Sequence, residues 1–309
     1  MSLSLWSLAL AAAAIAVPLV IEVRRKTVDQ RVMDDSHGQY ADLPRGRVFF
    51  RWHGPKDGPV VVCIHGLSTP SYVWDGLIPH LVDRGFRVLS YDLYGRGHSD
   101  RPFGAQDVTF FEEMLTALLH DQNVTTPVTL IGNSMGSAIS TAFASRHPSR
   151  VRQVVLFVPA GMGHDLGLSA RITRKIPVIG DWLFHLAYPR TLRKGAMQES
   201  DLPSSVPNIT DRQVIELGYR GFLRSLLSSL RGALSETREE DHRKLQDLGM
   251  SVLAIWGRKD DIIPIACKAR LTDWNRDVTH IELPDAGHGL VYTHTSELWP
   301  LLEPALLAD

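Results

Sequence analysis

The 309-residue chain is poor in cysteine, with only Cys63 and Cys267. Cys63 sits in an apolar run, where a thiol behaves as a small buried residue, and no framework of bridges is implied. No Cys/His cluster has metal-ligand spacing and no H-E-x-x-H occurs, so neither a metal nor an organic cofactor is expected. An excess of one charge is also missing: 33 Lys and Arg stand against 34 Asp and Glu, a net −1. No basic block is interleaved with aromatics, so nucleic acid is not an expected partner. Internal repeats and low-complexity tracts are absent. What remains is an ordinary globular composition, long enough for one large domain with an insertion or for two small ones.

Positive charge is missing from one further place, ahead of the single long hydrophobic run. Leu3 to Ile21 is uncharged and rich in Leu and Ala, and Arg24-Arg25-Lys26 follows it. As a helix the run is about 28 Å long, just enough to span a bilayer core. A cleaved secretory signal is the competing reading, with Ala14-Ile15-Ala16 as its cleavage site and a secreted or periplasmic product. Such a signal needs positive charge before its apolar core. The cluster behind the run favours a retained membrane helix over residues 1–26, with the rest of the chain cytoplasmic. A helix packed against the domain is the third reading. Residues 27–46 are polar and read as a linker.

Beyond them the pattern turns regular. Arg47 to Trp52 reads as a strand, and Val60 to Ile64 is a continuous apolar run, as in a central strand buried on both faces. Strands follow at Arg87–Tyr91, at Val128–Ile131 and at Val154–Val158, with helical patterns between them. This alternation predicts a mostly parallel sheet with helices on both faces, an α/β architecture. It breaks between Gly161 and about Leu248, where helical patterns carry a loose basic set (Arg171, Arg174, Lys175, Arg190, Arg193 and Lys194). Strands resume at Val252–Trp256 and His280–Leu283. The expected core therefore spans 47–160 and 249–309, with 161–248 as a helical cap over one sheet edge.

The chain is organised around Gly132-Asn133-Ser134-Met135-Gly136, between the Val128 strand and the small-residue helix from Ala138. A serine on so sharp a strand-to-helix turn has a strained backbone that lifts its hydroxyl clear of the sheet. A Cβ at Gly132 or Gly136 would collide with a neighbouring element. A serine hydroxyl needs a base within hydrogen-bond reach. His288, in Gly287-His288-Gly289 just past a strand, rises on the same sheet edge, and His294 is the fallback. The base needs an acid to set its tautomer. Asp260 or Asp261, in Gly257-Arg258-Lys259-Asp260-Asp261, follows another strand; the spacing to Pro264 favours Asp260. Backbone amides of Met135 and of Leu67, after His65-Gly66, are placed to stabilise an oxyanion. His65 itself reads as a brace for its loop.

Taken together, His65-Gly66-Leu67-Ser68, Asp92 to Ser99, the serine elbow, Gly257 to Pro264 and Gly287-His288 resemble the α/β-hydrolase fold family. The likeness runs from about Arg47 to the C-terminus, in the family's order Ser…Asp…His. Within that family the chain looks most like the monoacylglycerol-lipase and carboxylesterase-like branch, some of whose members carry an N-terminal membrane helix. Dehalogenase and epoxide-hydrolase relatives place an aspartate at the nucleophile position, and Ser134 argues against both. The resemblance implies a cofactor-free serine esterase with catalytic Ser134, Asp260 and His288, acting on a lipid-like or short acyl ester such as a monoglyceride. Other chemistry on the same triad (C–C bond hydrolysis, cofactor-free haloperoxidase, acyl transfer) stays open, as does a non-enzymatic binding protein of the same fold. Oligomeric state is not legible.

Overall fold

The computed structural model describes residues 6–7, 16–29, 38–163 and 167–307. An eight-stranded sheet runs in the order β1-β2-β4-β3-β5-β6-β7-β8. Its strands are β1 (Gln39–Leu43), β2 (Gly46–His53), β3 (Val60–Ile64), β4 (Arg87–Tyr91), β5 (Val128–Asn133), β6 (Val151–Phe157), β7 (Ser251–Gly257) and β8 (Thr279–Leu283). The β1–β2 and β2–β4 pairs are antiparallel, and every pair from β4 through β8 is parallel. The strand period explains the apolar run of β3. Val60, Val62 and Ile64 face one core cluster, while Val61 and Cys63 face the other. A strand with helices on both faces has no polar side to show.

On the first face lie α2 (Val108–Asp121) and α3 (Met135–Arg146), and on the second α1 (Ile78–Asp83) and the helix Thr295–Leu307. The Asp107 carboxylate caps α2 by accepting from the Phe110 amide at 2.8 Å, as an N-cap acid does for an orphan helix donor.

Among the described residues five helices lie between β6 and β7: α4 (Gly167–Lys175), α5 (Ile179–Glu199), α6 (Ile209–Glu216), α7 (Phe222–Arg231) and α8 (Glu239–Asp247). Phe184 of α5 and Phe222, Leu223 and Leu226 of α7 bury their own apolar cluster, which touches Leu67. Two of these helices reach the cores of the sheet: Ile209 of α6 belongs to the second-face cluster, and Leu245 of α8 is fully buried in the first, where Ser145 of α3 donates to Asp241.

One feature of the N-terminal region differs from the sequence reading. Gln39–Leu43, inside the expected linker 27–46, is the edge strand β1, with Ala41 and Leu43 buried. An edge strand is wetted on one side, so its pattern looks polar. Most of Leu3–Ile21 lies outside the described residues, and among those described no helix is long and apolar enough to cross a membrane. A helical stretch does cover 16–24, and its end is stapled to the cap. The Lys26 amide donates to Gly218 O at 3.0 Å, the Arg220 amide to Lys26 O at 2.8 Å, and the Gly221 amide to Glu22 Oε1 at 2.5 Å.

Candidate active site

The serine elbow joins β5 to α3. Ser134 has φ 53° and ψ −114°, outside the conformations that residues with a Cβ normally adopt. Its amide donates to Phe157 O at 2.8 Å, and its carbonyl accepts from the Ser137 amide at 3.0 Å. A Cβ on Gly136 would lie 2.0 Å from Ile64 O, and one on Gly132 would lie 2.5 Å from the Gly136 carbonyl. Glycine is required at both places because α3 crosses directly over β3 and β5. Met135 opens the helix, so its amide has no acceptor within it.

Asp260 is brought to His288 across two loops, after β7 and after β8. His288 Nδ1 stands 2.8 Å from Asp260 Oδ2. The other carboxylate oxygen, Oδ1, accepts from the amides of Ile262 and Ile263, each at 2.8 Å. The carboxylate is therefore anchored on one side and presented to the imidazole on the other. Asp261 is exposed. His294 accepts from or donates to Thr293 Oγ1 at 2.8 Å and does not line the cavity described next.

Ser134 and His288 line one cavity of about 460 Å³, together with Gly66, Leu67, Asn133 and residues of the cap. Ser134 is 8% exposed, enough for a small molecule to reach it from that space. The loop after β3 is held at two successive peptides. His65 is fully buried; the Leu93 amide donates to its Nε2 at 2.9 Å, so Nδ1 carries the proton and donates to Gly66 O at 2.8 Å. That bond holds the peptide between Gly66 and Leu67 by its carbonyl end, and trans geometry aims the Leu67 amide the opposite way. Burial keeps His65 neutral, its pKa pulled down to about 4. Its two hydrogen bonds fit the bracing role.

The next peptide is held by Arg96, which is wholly buried. Arg96 Nε donates to Leu67 O at 2.9 Å, Nη1 to Tyr94 O at 2.8 Å and to Gln106 Oε1 at 2.6 Å, and Nη2 to Ser229 Oγ of α7 at 2.7 Å. Asp92 anchors the same turn by accepting from the amides of Ser71 at 2.8 Å and His98 at 2.9 Å. Burial alone would raise its carboxyl pKa; the bonds from His98 and Ser71 and the nearby histidines outweigh this and hold it below the usual range.

Two cavity residues escaped the sequence reading. The side-chain oxygen of Asn133 is buried with no partner among the described residues, and such a group calls for water or ligand. Tyr188, from α5, stacks on Phe184 at 4.6 Å, and burial raises its phenol pKa. Asn133 had a local signal, its place beside Ser134; Tyr188 had none, because its position depends on how the cap folds back. Among the described residues no group of His, Cys, Asp or Glu is arranged to hold a metal ion.

Residues 59–295 match the family described as the alpha/beta hydrolase fold, and the chain belongs to it. A 2-hydroxy-6-oxo-2,4-heptadienoate hydrolase of Pseudomonas putida is 29% identical over 232 residues, covering 71% of this chain and 78% of the relative. A haloalkane dehalogenase of Mycobacterium marinum is 33% identical over 127 residues, covering 40% of this chain and 42% of the relative. The crystal structure of a membrane phospholipase A, a bacterial virulence factor, is similar with a TM-score of 0.70. That likeness, at 20% identity, covers 98% of this chain and 96% of the other, and is one of fold. The chain is a hydrolase of this fold.

Proposed function

We propose that this hydrolase cleaves carboxylic esters through an acyl-enzyme, with Ser134 as nucleophile, His288 as base and Asp260 as its orienting acid. The observation that carries the reading is the 2.8 Å contact between His288 Nδ1 and Asp260 Oδ2. A proton held there leaves Nε2 as the acceptor, on a ring that lines the same cavity as Ser134. Ser134 Oγ attacks the carbonyl carbon as its proton passes to His288 Nε2. The Leu67 and Met135 amides stabilise the resulting oxyanion, and removing one such donor typically costs about 10²–10³ in turnover. Collapse expels the alcohol with the proton from His288. Water, deprotonated by the same nitrogen, then releases the acid and restores Ser134. Leu230, Leu234 and Ile263 in the cavity wall favour an apolar acyl chain.

A second reading is favoured by the heptadienoate-hydrolase relative, which covers most of both chains: cleavage of a C–C bond beside a ketone, with the same three residues. Dehalogenation is disfavoured, since a serine occupies the nucleophile position. The experiment is a series of p-nitrophenyl acyl esters of graded chain length beside a 2-hydroxy-6-oxo-dienoate. It is paired with fluorophosphonate labelling of the wild type and of Ser134→Ala. Ester turnover should fall about 10⁶-fold in the variant, with labelling abolished and the fold retained. Turnover of the dienoate alone would transfer the assignment to the second reading. A folded variant keeping a tenth of wild-type activity would remove Ser134 from the role.

A further inference from the structure

Charge is balanced over the whole chain but not over two helices of the cap. Gly167 to Glu199, α4 and α5, holds six Lys and Arg (Arg171, Arg174, Lys175, Arg190, Arg193, Lys194) and two acids, Asp181 and Glu199. Asp181 is paired with Arg231 of α7, and Glu199 accepts from the Tyr292 hydroxyl. Arg171, Lys175, Arg190, Arg193 and Lys194 are exposed. The same stretch shows large apolar side chains to solvent. At the turn between α4 and α5, Ile176 is 43% exposed, Val178 76% and Ile179 59%, with Leu183 at 38% one helical turn on. The turn is strained. Val178 has φ 64° and ψ −61°, and the Ile179 amide donates back to Pro177 O at 2.7 Å. This is a γ-turn of the rare hand, here at a β-branched residue. The strain holds an apolar side chain outward, where water alone gives it no return.

We propose that α4 and the start of α5 form a docking face for an anionic lipid bilayer, with the Ile176–Ile179 turn inserted at the interface. An apolar turn preceded by Arg171, Arg174 and Lys175 has the composition of an interfacial element: the apolar tips enter the headgroup boundary and the cations pair with anionic lipids. Charge complementarity selects this occupant, because α4 and α5 carry a net positive charge in a chain whose net charge is −1, and Arg171, Arg174 and Lys175 directly precede the turn. The location gives the contact a purpose. Arg174 lines the cavity that holds Ser134 and His288, so the turn begins two residues from the cavity wall. The stapled stretch 16–24 also exposes apolar side chains, Leu19 (67%) and Val23 (64%).

The test uses the full chain and a reporter that needs no turnover, so its outcome is separable from the chemistry proposed above. Cys63 and Cys267 are both buried, so Val178→Cys can be labelled selectively with an environment-sensitive dye such as NBD. On vesicles containing phosphatidylglycerol, emission should rise and shift to the blue, and lipid-borne nitroxide should quench it. Vesicles of phosphatidylcholine alone should give a much weaker response. In the same labelled chain, Arg171→Gln with Lys175→Gln should weaken the partitioning of the dye by about thirtyfold, the effect of losing two basic residues near an anionic surface. Circular dichroism controls for folding. Emission that stays unchanged on anionic vesicles, even as the protein sediments with them, overturns the docking face. An equal response to neutral vesicles, or to soluble heparin, overturns it as well.

Discussion

Replacing Asp260 by Asn tests the site at its most fully hydrogen-bonded point. The native carboxylate accepts from two amides through Oδ1 and from His288 through Oδ2, all at 2.8 Å. An asparagine has one oxygen for these two tasks. Turning its oxygen toward His288 would face an NH₂ group against the Ile262 and Ile263 amides. Each buried donor left unsatisfied costs about 1–3 kcal/mol, so the side chain is held the other way by about 2–6 kcal/mol in total. Its NH₂ then donates to Nδ1, and the imidazole proton moves to Nε2, where it blocks acceptance of the serine proton. Turnover should fall by about 10⁴, equivalent to about 5.5 kcal/mol of barrier. The secondary structure and the unfolding midpoint should change little. The exposed Asp261→Asn should remain near wild type. Steady-state hydrolysis of a p-nitrophenyl ester, with circular dichroism as control, measures both. A folded Asp260→Asn enzyme retaining a tenth of wild-type turnover, or the reverse ranking of the two variants, would refute the tautomer reasoning.

Gly136→Ala puts a methyl group 2.0 Å from Ile64 O, so α3 and β3 must separate by about 1 Å to reach tolerable contact. Overpacking of this kind costs about 1–3 kcal/mol, and a 1 Å displacement at Ser134 should lower turnover by about 10². Urea unfolding and fluorophosphonate labelling should both register the change, and wild-type values in both would contradict the close crossing. Acid should also destabilise the fold through its buried neutral histidines. Burial holds His65 down to about 4, and burial with the Arg238 charge holds His242 down to about 3. The unfolded chain, titrating near 6.5, binds more protons throughout this interval. The stability from each group is complete above about pH 6.5 and declines on acidification toward its folded value, by roughly 1.4 kcal/mol per pH unit per histidine. His242→Leu should make guanidinium midpoints between pH 6.5 and 5 markedly less pH-dependent than in the wild type. An unchanged slope would show that His242 is not held neutral in the fold.

Much of the site is written in short-range pattern. The serine elbow is legible because strand, tight turn and small-residue helix are local requirements on one stretch, Val128 to Ala144. The parallel sheet is legible because strands covered on both faces must be apolar throughout, as β3 is. The order of Ser134, Asp260 and His288 could be read once each was seen to follow a strand. Other features depended on surroundings far along the chain. Gln39–Leu43 reads as polar linker because half of an edge strand is wetted; only its pairing with β2 shows Ala41 and Leu43 as core. Arg96 looks like one more surface cation in a turn, yet it is wholly buried, and its partners Leu67 and Ser229 are 29 and 133 residues away. Helix α8 carries a cap-like pattern but faces the sheet. Which aspartate reaches the histidine is decided by a loop that buries Asp260 and turns its neighbour outward. Local sequence determined where the chain must turn and which faces must be apolar, because those are constraints of sterics and solvation acting on neighbouring residues. Tertiary structure alone decided which polar groups meet, because a buried hydrogen bond is defined by two partners and the chain can bring the second from anywhere.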